Sequence, residues 1–448
     1  MQALRDRSTQ HGRRWLSPWA LAVAVAVLAA AGVAFAATRA TQTPLACSGA
    51  SCSTGGGSGG GKTGAGGGKS EKSHGPRFKV TSTTPVQGAS GIAPDARLLV
   101  TFDSAVAKDG PTPTLSPAAP GSWRVKSKDT LVFTPSAPFV PFQKYTLSIP
   151  GGSSGLTSAA GSRLATTQTV TFTVANGSTL RLQQLLAQLG YLPVAYNPPP
   201  TPARKLATPQ PGTFVWRWQG LPPQLTNQWV PGTMGAITKG AVMMFETENG
   251  LSVDGIPGPK VWTALLHDVV SQKGNTEPVT YVLVTKVLPE HLTAWVDGAL
   301  KFQHILVNTG VAGANTQDGT FQVFEHVPFS DMKGTDVTGT HYTDPHVPWA
   351  SYFNGGDALH GFPRATYGWP QSNGCVEMQI STAGALWPYT PIGTIVTVQG
   401  PSSGGTAPPP PPTTTTTTTA PPTTTTTTTT RTTPPPTTTQ PTSPPAAG

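Results

Sequence analysis

The sequence predicts a multidomain, mainly β protein. An all-β sandwich, a small three-helix module and a second, mostly β domain follow one another between two low-complexity ends. Three observations predict this. Gly 50 and Pro 48 make up 98 of 448 residues, and only 11% of residues are charged, against a usual value of about 25%. The excess is local: 36 of the 48 residues from 401 to 448 are Pro or Thr, and 11 of those from 49 to 68 are Gly. Between these ends the apolar pattern changes from alternation to a helical period and back. The foldable span is therefore 77–400, and the glycines lack the period of three that collagen requires.

The chain opens with a basic segment, 1–14, carrying Arg5, Arg7, Arg13 and Arg14 against Asp6 alone. Residues 15–37 follow without a formal charge, beginning WLSPWALAVAVAVLAAAG. A basic flank before an apolar run keeps the flank cytoplasmic and directs the rest outward. The run is long enough to span a bilayer at about 20 residues, yet Ala34-Phe35-Ala36 is a small-residue cleavage pattern. The segment is thus a retained signal anchor or a cleaved signal peptide. Either way the remainder is extracytoplasmic, and the expectation is a chain anchored to the cytoplasmic membrane by this one helix. Residues 38–76 form a Gly-rich linker. Cys47 and Cys52 lie close enough within it to pair, leaving Cys375 as the odd thiol of three. The net charge of +9 is scattered, with no basic helix interleaved with aromatic residues, so nucleic acid is not an expected partner.

Short strands are read at Phe78–Thr81, Arg97–Phe102, Thr130–Phe133, Tyr145–Ile149 and Thr169–Val174, punctuated by Pro, Gly, Ser and Asp. They predict a β-sandwich over 77–175. It holds no cluster of His, Cys or carboxylates, which suits a spacer or adhesion module. With Thr84-Pro85, Ile92-Ala93-Pro94-Asp95 and an FTP–F–YTLSI ending, the segment resembles bacterial immunoglobulin-like modules.

Residues 176–272 read as helical. In TLRLQQLLAQLG, residues 179–190, Leu182, Leu185, Leu186 and Leu189 form one apolar stripe. A second helix is expected at Ala236–Glu248 with Ile237, Ala241, Met244 and Phe245 inward. A third is expected at Pro259–His267, with proline near its start. LQQLLAQLGYLP and TKGAVMMFETENGLSVDGIPGPKVWTALL together resemble the small peptidoglycan-binding module. An insertion, Val194–Met234, separates the halves and carries Trp216, Trp218 and Trp229. These tryptophans either stack on sugar or fill a local core.

The pattern returns to β over 277–400. Strands are read at Val279–Lys286, His291–Val296, Lys301–Thr309, Gly319–His326 and Thr394–Val398, with a hairpin turn at Asp297-Gly298 and a short helix at Ser381–Tyr389. This domain holds the chemically suggestive residues. His360-Gly361-Phe362-Pro363 precedes Gln371-Ser372-Asn373-Gly374-Cys375-Val376-Glu377-Met378. A thiol becomes a competent acyl-transfer nucleophile when an imidazole within reach takes its proton. Glycine before the cysteine lets the backbone turn sharply.

AWVDGALKFQHILVNTG, DGTFQVFEH, FNGGDALHG, SNGCVEM and PIGTIVTVQG together resemble the L,D-transpeptidase (YkuD-like) catalytic domain, in an actinobacterial type of arrangement. The resemblance implies Cys375 as acylated nucleophile and His360 as general base, oriented by the Gly361 backbone carbonyl. It further implies Gly374 and Cys375 amides in an oxyanion hole, and Tyr342, Ser372 and Asn373 as substrate-binding residues. No cofactor or metal is implied. The expected partners are peptidoglycan stem peptides and glycan strands, with carbapenem-type β-lactams as inhibitors. The implied reaction forms peptidoglycan cross-links, in a protein of the cell wall.

Two residues depart from the family pattern. Asn373 stands where histidine is common, and Glu377 where arginine or asparagine is common. Asn373 donates hydrogen bonds but does not titrate. Glu377 reverses the expected charge and is expected to oppose thiolate formation. They leave two rivals, a peptidoglycan-binding scaffold with a degenerate site and an L,D-carboxypeptidase. His326, His341 and His346, with Asp344, lack the spacing of a known metal motif. The Pro/Thr tail, 401–448, is expected to be a disordered, extended spacer and a candidate for O-glycosylation.

Overall fold

The computed structural model describes residues 78–400. The segment 15–37, Cys47, Cys52 and the Pro/Thr tail lie outside the described residues. Among those described, no helix is long and apolar enough to cross a membrane.

The first domain is the predicted sandwich. One sheet has the order β1 (Val80–Thr84), β3 (Leu98–Phe102), β6 (Thr130–Pro135), β5 (Gly121–Ser127). The other has the order β2 (Ala89–Ile92), β8 (Gln168–Val174), β7 (Lys144–Ile149), β4 (Thr114–Ser116). Alternate residues of β3, β7 and β8 are buried, the period-two signature of strands with one face on a core. Phe139, Tyr145 and Phe172 meet edge-on and stacked in its centre.

Helix α1 (Thr179–Gln188) starts where the Ser178 hydroxyl accepts from the Arg181 backbone N–H. This satisfies one of the orphan donors of a helix N-terminus. The predicted leucine stripe is buried, as are Ile237, Ala241, Met244 and Phe245 of α3 (Ala236–Glu248). Between these two helices, α2 (Pro223–Thr226) is a single turn. Helix α4 (Pro259–Ser271) outruns the expected end at His267 and stops at Gln272, in the left-handed conformation. The insertion forms a two-stranded ribbon, β9 (Val194–Tyr196) with β10 (Phe214–Trp216). Trp216 and Trp229 pack against the helical core, Trp229 edge-on to Phe214, and Trp218 packs against Gly298 of the next domain. All three tryptophans are thus engaged in packing, each with part of its surface left exposed.

Glu246 of α3 is fully buried, and one oxygen accepts the backbone N–H of Asp254 and of Gly255. Burial raises its pKa from 4.5 to about 7, against the lowering effect of those donors. A carboxyl group raised in this way stabilises the fold fully below its unfolded pKa, and that stability is lost as pH rises through the folded value. Raising pH from 4.5 to 8 should therefore destabilise the chain by up to about 3 kcal/mol through this group. Glu246→Gln should flatten that dependence and raise the melting temperature at pH 8. Equal pH dependence in the variant and the parent would refute the assignment.

The third domain packs two sheets on one core. The first has the order β13 (Ala299–Leu306), β12 (His291–Val296), β11 (Thr280–Thr285), β19 (Ile395–Gln399), β14 (Gly319–Gln322), with β11 and β19 parallel. The second has the order β15 (Glu325–Thr335), β16 (His341–Asn354), β17 (Asp357–Gly361), β18 (Val376–Met378), with β17 and β18 parallel. Val282, Val284, Val376, Met378 and Val396 are fully buried between them. The run read as one strand, Gly319–His326, is two strands in different sheets. Val323, fully buried, marks the crossing, and its N–H bonds Thr394. Helix α5 (Ile380–Leu386) continues into a 3-10 turn, Trp387–Tyr389, close to the expected helix.

The helical module and the third domain share a core, since Tyr281 and Ile395 are buried among the helical residues. Gly240 of α3 lies so close to Gly393 that a methyl on either glycine would run into the other's carbonyl. A small apolar crevice of about 30 Å³ remains at this junction, bordered by Trp218, Leu225 and Trp295. It is too small for a ligand and shares no lining residue with the cavity that holds the thiol.

Candidate active site

The parallel pairing of β17 with β18 brings the two chemical groups together. Leu359 faces Val376 and His360 faces Glu377, so Cys375 arrives one residue before β18 beside the histidine strand. A third segment runs along the cysteine loop. Asn308 exchanges both backbone bonds with Glu377 at 2.9 Å, and Thr309 accepts the N–H of Gln371 and of Ser372. Glu290, fully buried, anchors that segment by accepting the Thr309 amide and hydroxyl, each at 2.7 Å. Thr316 ties the loop from behind, its hydroxyl donating to the Gly374 carbonyl at 2.6 Å.

Gly374 has φ +125°, a conformation that L side chains rarely adopt. A Cβ there would also collide with the Asp357 carboxylate. The glycine before the thiol is thus required both by the turn and by its neighbour.

Cys375 and His360 line one cavity of about 460 Å³ together with Tyr342, Asp357, Arg364 and Glu377. His360 is 2% exposed, and its Nδ1 donates to the Gly361 carbonyl at 3.1 Å. A carbonyl can only accept, so this bond fixes the tautomer and leaves the Nε2 lone pair free. Burial lowers the His360 pKa, and the ring is neutral at pH 7. The thiol donates to the Gly356 carbonyl at 3.5 Å. Burial pushes the Cys375 pKa up to about 12, and the carboxylates of Asp357 and Glu377 add to the rise, against a hydrogen bond from the Ala358 backbone. The resting pair is therefore a neutral thiol and a neutral imidazole.

The other sequence-predicted residues divide. Tyr342 lies in the cavity, and its hydroxyl meets the Asn373 side chain. Ser372 is 2% exposed, and its hydroxyl donates to the Cys375 carbonyl at 2.6 Å while accepting the Gly374 N–H at 3.2 Å. Its polar atoms serve the turn. The same bond occupies the Gly374 amide, so an oxyanion would reach that donor only by displacing Ser372. Asn373 also borders a second opening beside Gly356 and Asp357.

Glu377 raises the pKa of the thiol, the direction expected from its charge, but its carboxylate is paired. Arg364 grips it with two bonds of 2.7 Å, from Nε and from Nη2. On His360 the two charges act in opposite directions. Asp357 raises the thiol more than Glu377 does. Neither Arg364 nor Asp357 stands out in the sequence. Their only local signal is a charged residue within a few positions of the histidine.

His341 bonds Thr335 on the neighbouring strand, and His326 stacks on Trp387 with its Nδ1 at Ser351. Among the described residues no group of three or more His, Cys, Asp or Glu is arranged to hold a metal ion.

Three family models match the chain. They are a bacterial Ig-like domain at 75–174, a peptidoglycan binding domain at 223–265 and an L,D-transpeptidase catalytic domain at 280–398. No curated protein matches it. Among solved structures, an L,D-transpeptidase from Mycobacterium smegmatis is similar at 12% identity, over 72% of this chain and 100% of that one, with a TM-score of 0.25. L,D-transpeptidase 3 from Mycobacterium tuberculosis is similar at 13% identity, over 72% and 98%, with a TM-score of 0.24. The catalytic domain of the E. faecium L,D-transpeptidase is similar at 25% identity, over 27% and 96%, with a TM-score of 0.25.

Proposed function

We propose that this chain, whose residues 280–398 match the L,D-transpeptidase catalytic domain, cross-links peptidoglycan in the cell wall through a thioester on Cys375. The observation that carries the reading is the His360 tautomer: Nδ1 is held by Gly361, and Nε2 is left as a base in the cavity that contains the thiol. The resting thiol holds its proton, so attack and proton transfer to Nε2 occur together. Sulfur adds to the carbonyl between an L-centre and a D-residue of the donor stem. The oxyanion is met by the Cys375 amide and, once Ser372 yields it, by the Gly374 amide. Collapse breaks the C–N bond, and the imidazolium returns its proton to the departing amine. The acceptor amine then attacks the thioester, gives its proton to His360, and releases the thiol again.

Tyr342 and Asn373 border the route to Cys375 and would contact the stem, while Ser372 keeps the turn in shape. The peptidoglycan binding match at 223–265 suits a module that holds glycan strands near the thiol. The basic and apolar N-terminal segments would place all of this outside the cytoplasmic membrane.

The test uses the full-length protein with a tetrapeptide stem and an acceptor stem, and separately with a carbapenem, both read by mass spectrometry. Expected are a released D-amino acid, a cross-linked dimer and a single carbapenem adduct. Trimmed stem without dimer under abundant acceptor would reassign the protein as an L,D-carboxypeptidase. Neither adduct nor turnover would leave a wall-binding scaffold.

A further inference from the structure

We propose that Arg364 binds a substrate carboxylate next to Cys375, and that Glu377 serves to aim it. Glu377 is only 4% exposed, where a carboxylate requires a partner. Arg364 reaches it from 13 residues earlier in the chain and closes a two-point fork, Nε on one oxygen and Nη2 on the other. The second Nη2 proton goes to the Gln371 carbonyl at 3.3 Å, and the guanidinium lies 4.7 Å over the Phe362 ring. Every N–H on Nε and Nη2 is thereby engaged. Nη1 has no hydrogen-bond partner among the described residues, while the side chain is 30% exposed and lines the cavity shared by Cys375 and His360. Its two N–H donors diverge, so each suits a single hydrogen bond to an oxygen of an anion, reinforced by the positive charge.

The surroundings favour this spot over others in the cavity. Asp331, Asp344 and Asp357 line it too and would repel an anion. Lys333, its other cation, is exposed on β15 with no ion pair among the described residues. The identity of the carboxylate rests on the proposed function. In a donor stem cut before its terminal D-residue, the leaving residue bears its carboxylate on the carbon attached to the scissile nitrogen. It is the charge nearest the bond that breaks. Glu377 at the position two residues after the thiol would therefore not be a defect. With Arg364 it would supply a cation from a loop.

The experiment compares two tetrapeptides, one ending in a free carboxylate and one in a carboxamide. Each is titrated as a protectant of Cys375 against iodoacetamide in the full-length protein, with turnover followed in parallel samples. Protection reads binding whether or not turnover occurs. The acid peptide should protect the parent protein at a concentration about tenfold lower than the amide. Arg364→Ala should equalise the two peptides. Because that variant leaves Glu377 buried and unpaired, Arg364→Ala with Glu377→Gln is measured beside it and should also show no preference. Equal protection by both peptides in the parent, or a preference that survives in the double variant, overturns the proposal. Discrimination without turnover would support the carboxylate site while refuting the transpeptidase reading.

Discussion

Full-length protein carrying Cys375→Ala should form no carbapenem adduct and lose stem turnover by at least about 10⁴-fold, with its melting temperature little changed. In the parent, alkylation of Cys375 by iodoacetamide should accelerate about tenfold per pH unit between pH 7 and 10. The reason is the thiol's surroundings. Burial and the nearby Asp357 and Glu377 carboxylates hold its pKa near 12, so below that value the thiolate fraction grows tenfold with each unit of pH. A rate that is flat from pH 6 to 9 would mean a preformed thiolate–imidazolium pair and would refute the neutral resting state.

The second large effect belongs to His360. His360→Gln, which nearly preserves side-chain volume at a buried position, should lower kcat by about 10²- to 10⁴-fold. The sign of the pH dependence follows from the geometry. Burial holds the imidazole below its ordinary value of 6.5, and the base acts only when unprotonated. The parent's kcat/KM should therefore rise with pH along a limb centred below 6.5, and that limb should vanish in the variant. A limb centred above 6.5, or one retained in His360→Gln, would remove His360 as the base.

Much of this site is legible in one dimension because its groups lie close together in the chain. The Gly374–Cys375 pair, the His360–Gly361 pair and the short distance between them point to thiol chemistry. The apolar stripes of α1 and α3 are equally legible, since their period is written in nearby residues, although both helices are buried well beyond the stripe. The strand run at Gly319–His326 shows the limit of that reading. Its apolar residues Phe321, Val323 and Phe324 run on without a turn signal, while the backbone leaves one sheet and enters another. Periodicity reports the burial of faces and carries no information about which sheet a strand joins. The tryptophans of the insertion were equally undecidable, because an aromatic residue looks the same in sequence whether a sugar or a neighbouring side chain covers it.

The sequence by itself determined the order of the three domains, the nearness in the chain of a histidine to a cysteine and the glycine that the turn before the thiol demands. These follow from local pattern and residue chemistry. Only the tertiary structure decided the charge state of the site. The carboxylate two residues after the thiol reads as a reversed charge, and the loop folds back to set Arg364 against it at 2.7 Å. Electrostatic energy depends on separation in space and on burial, and neither is fixed by separation along the chain.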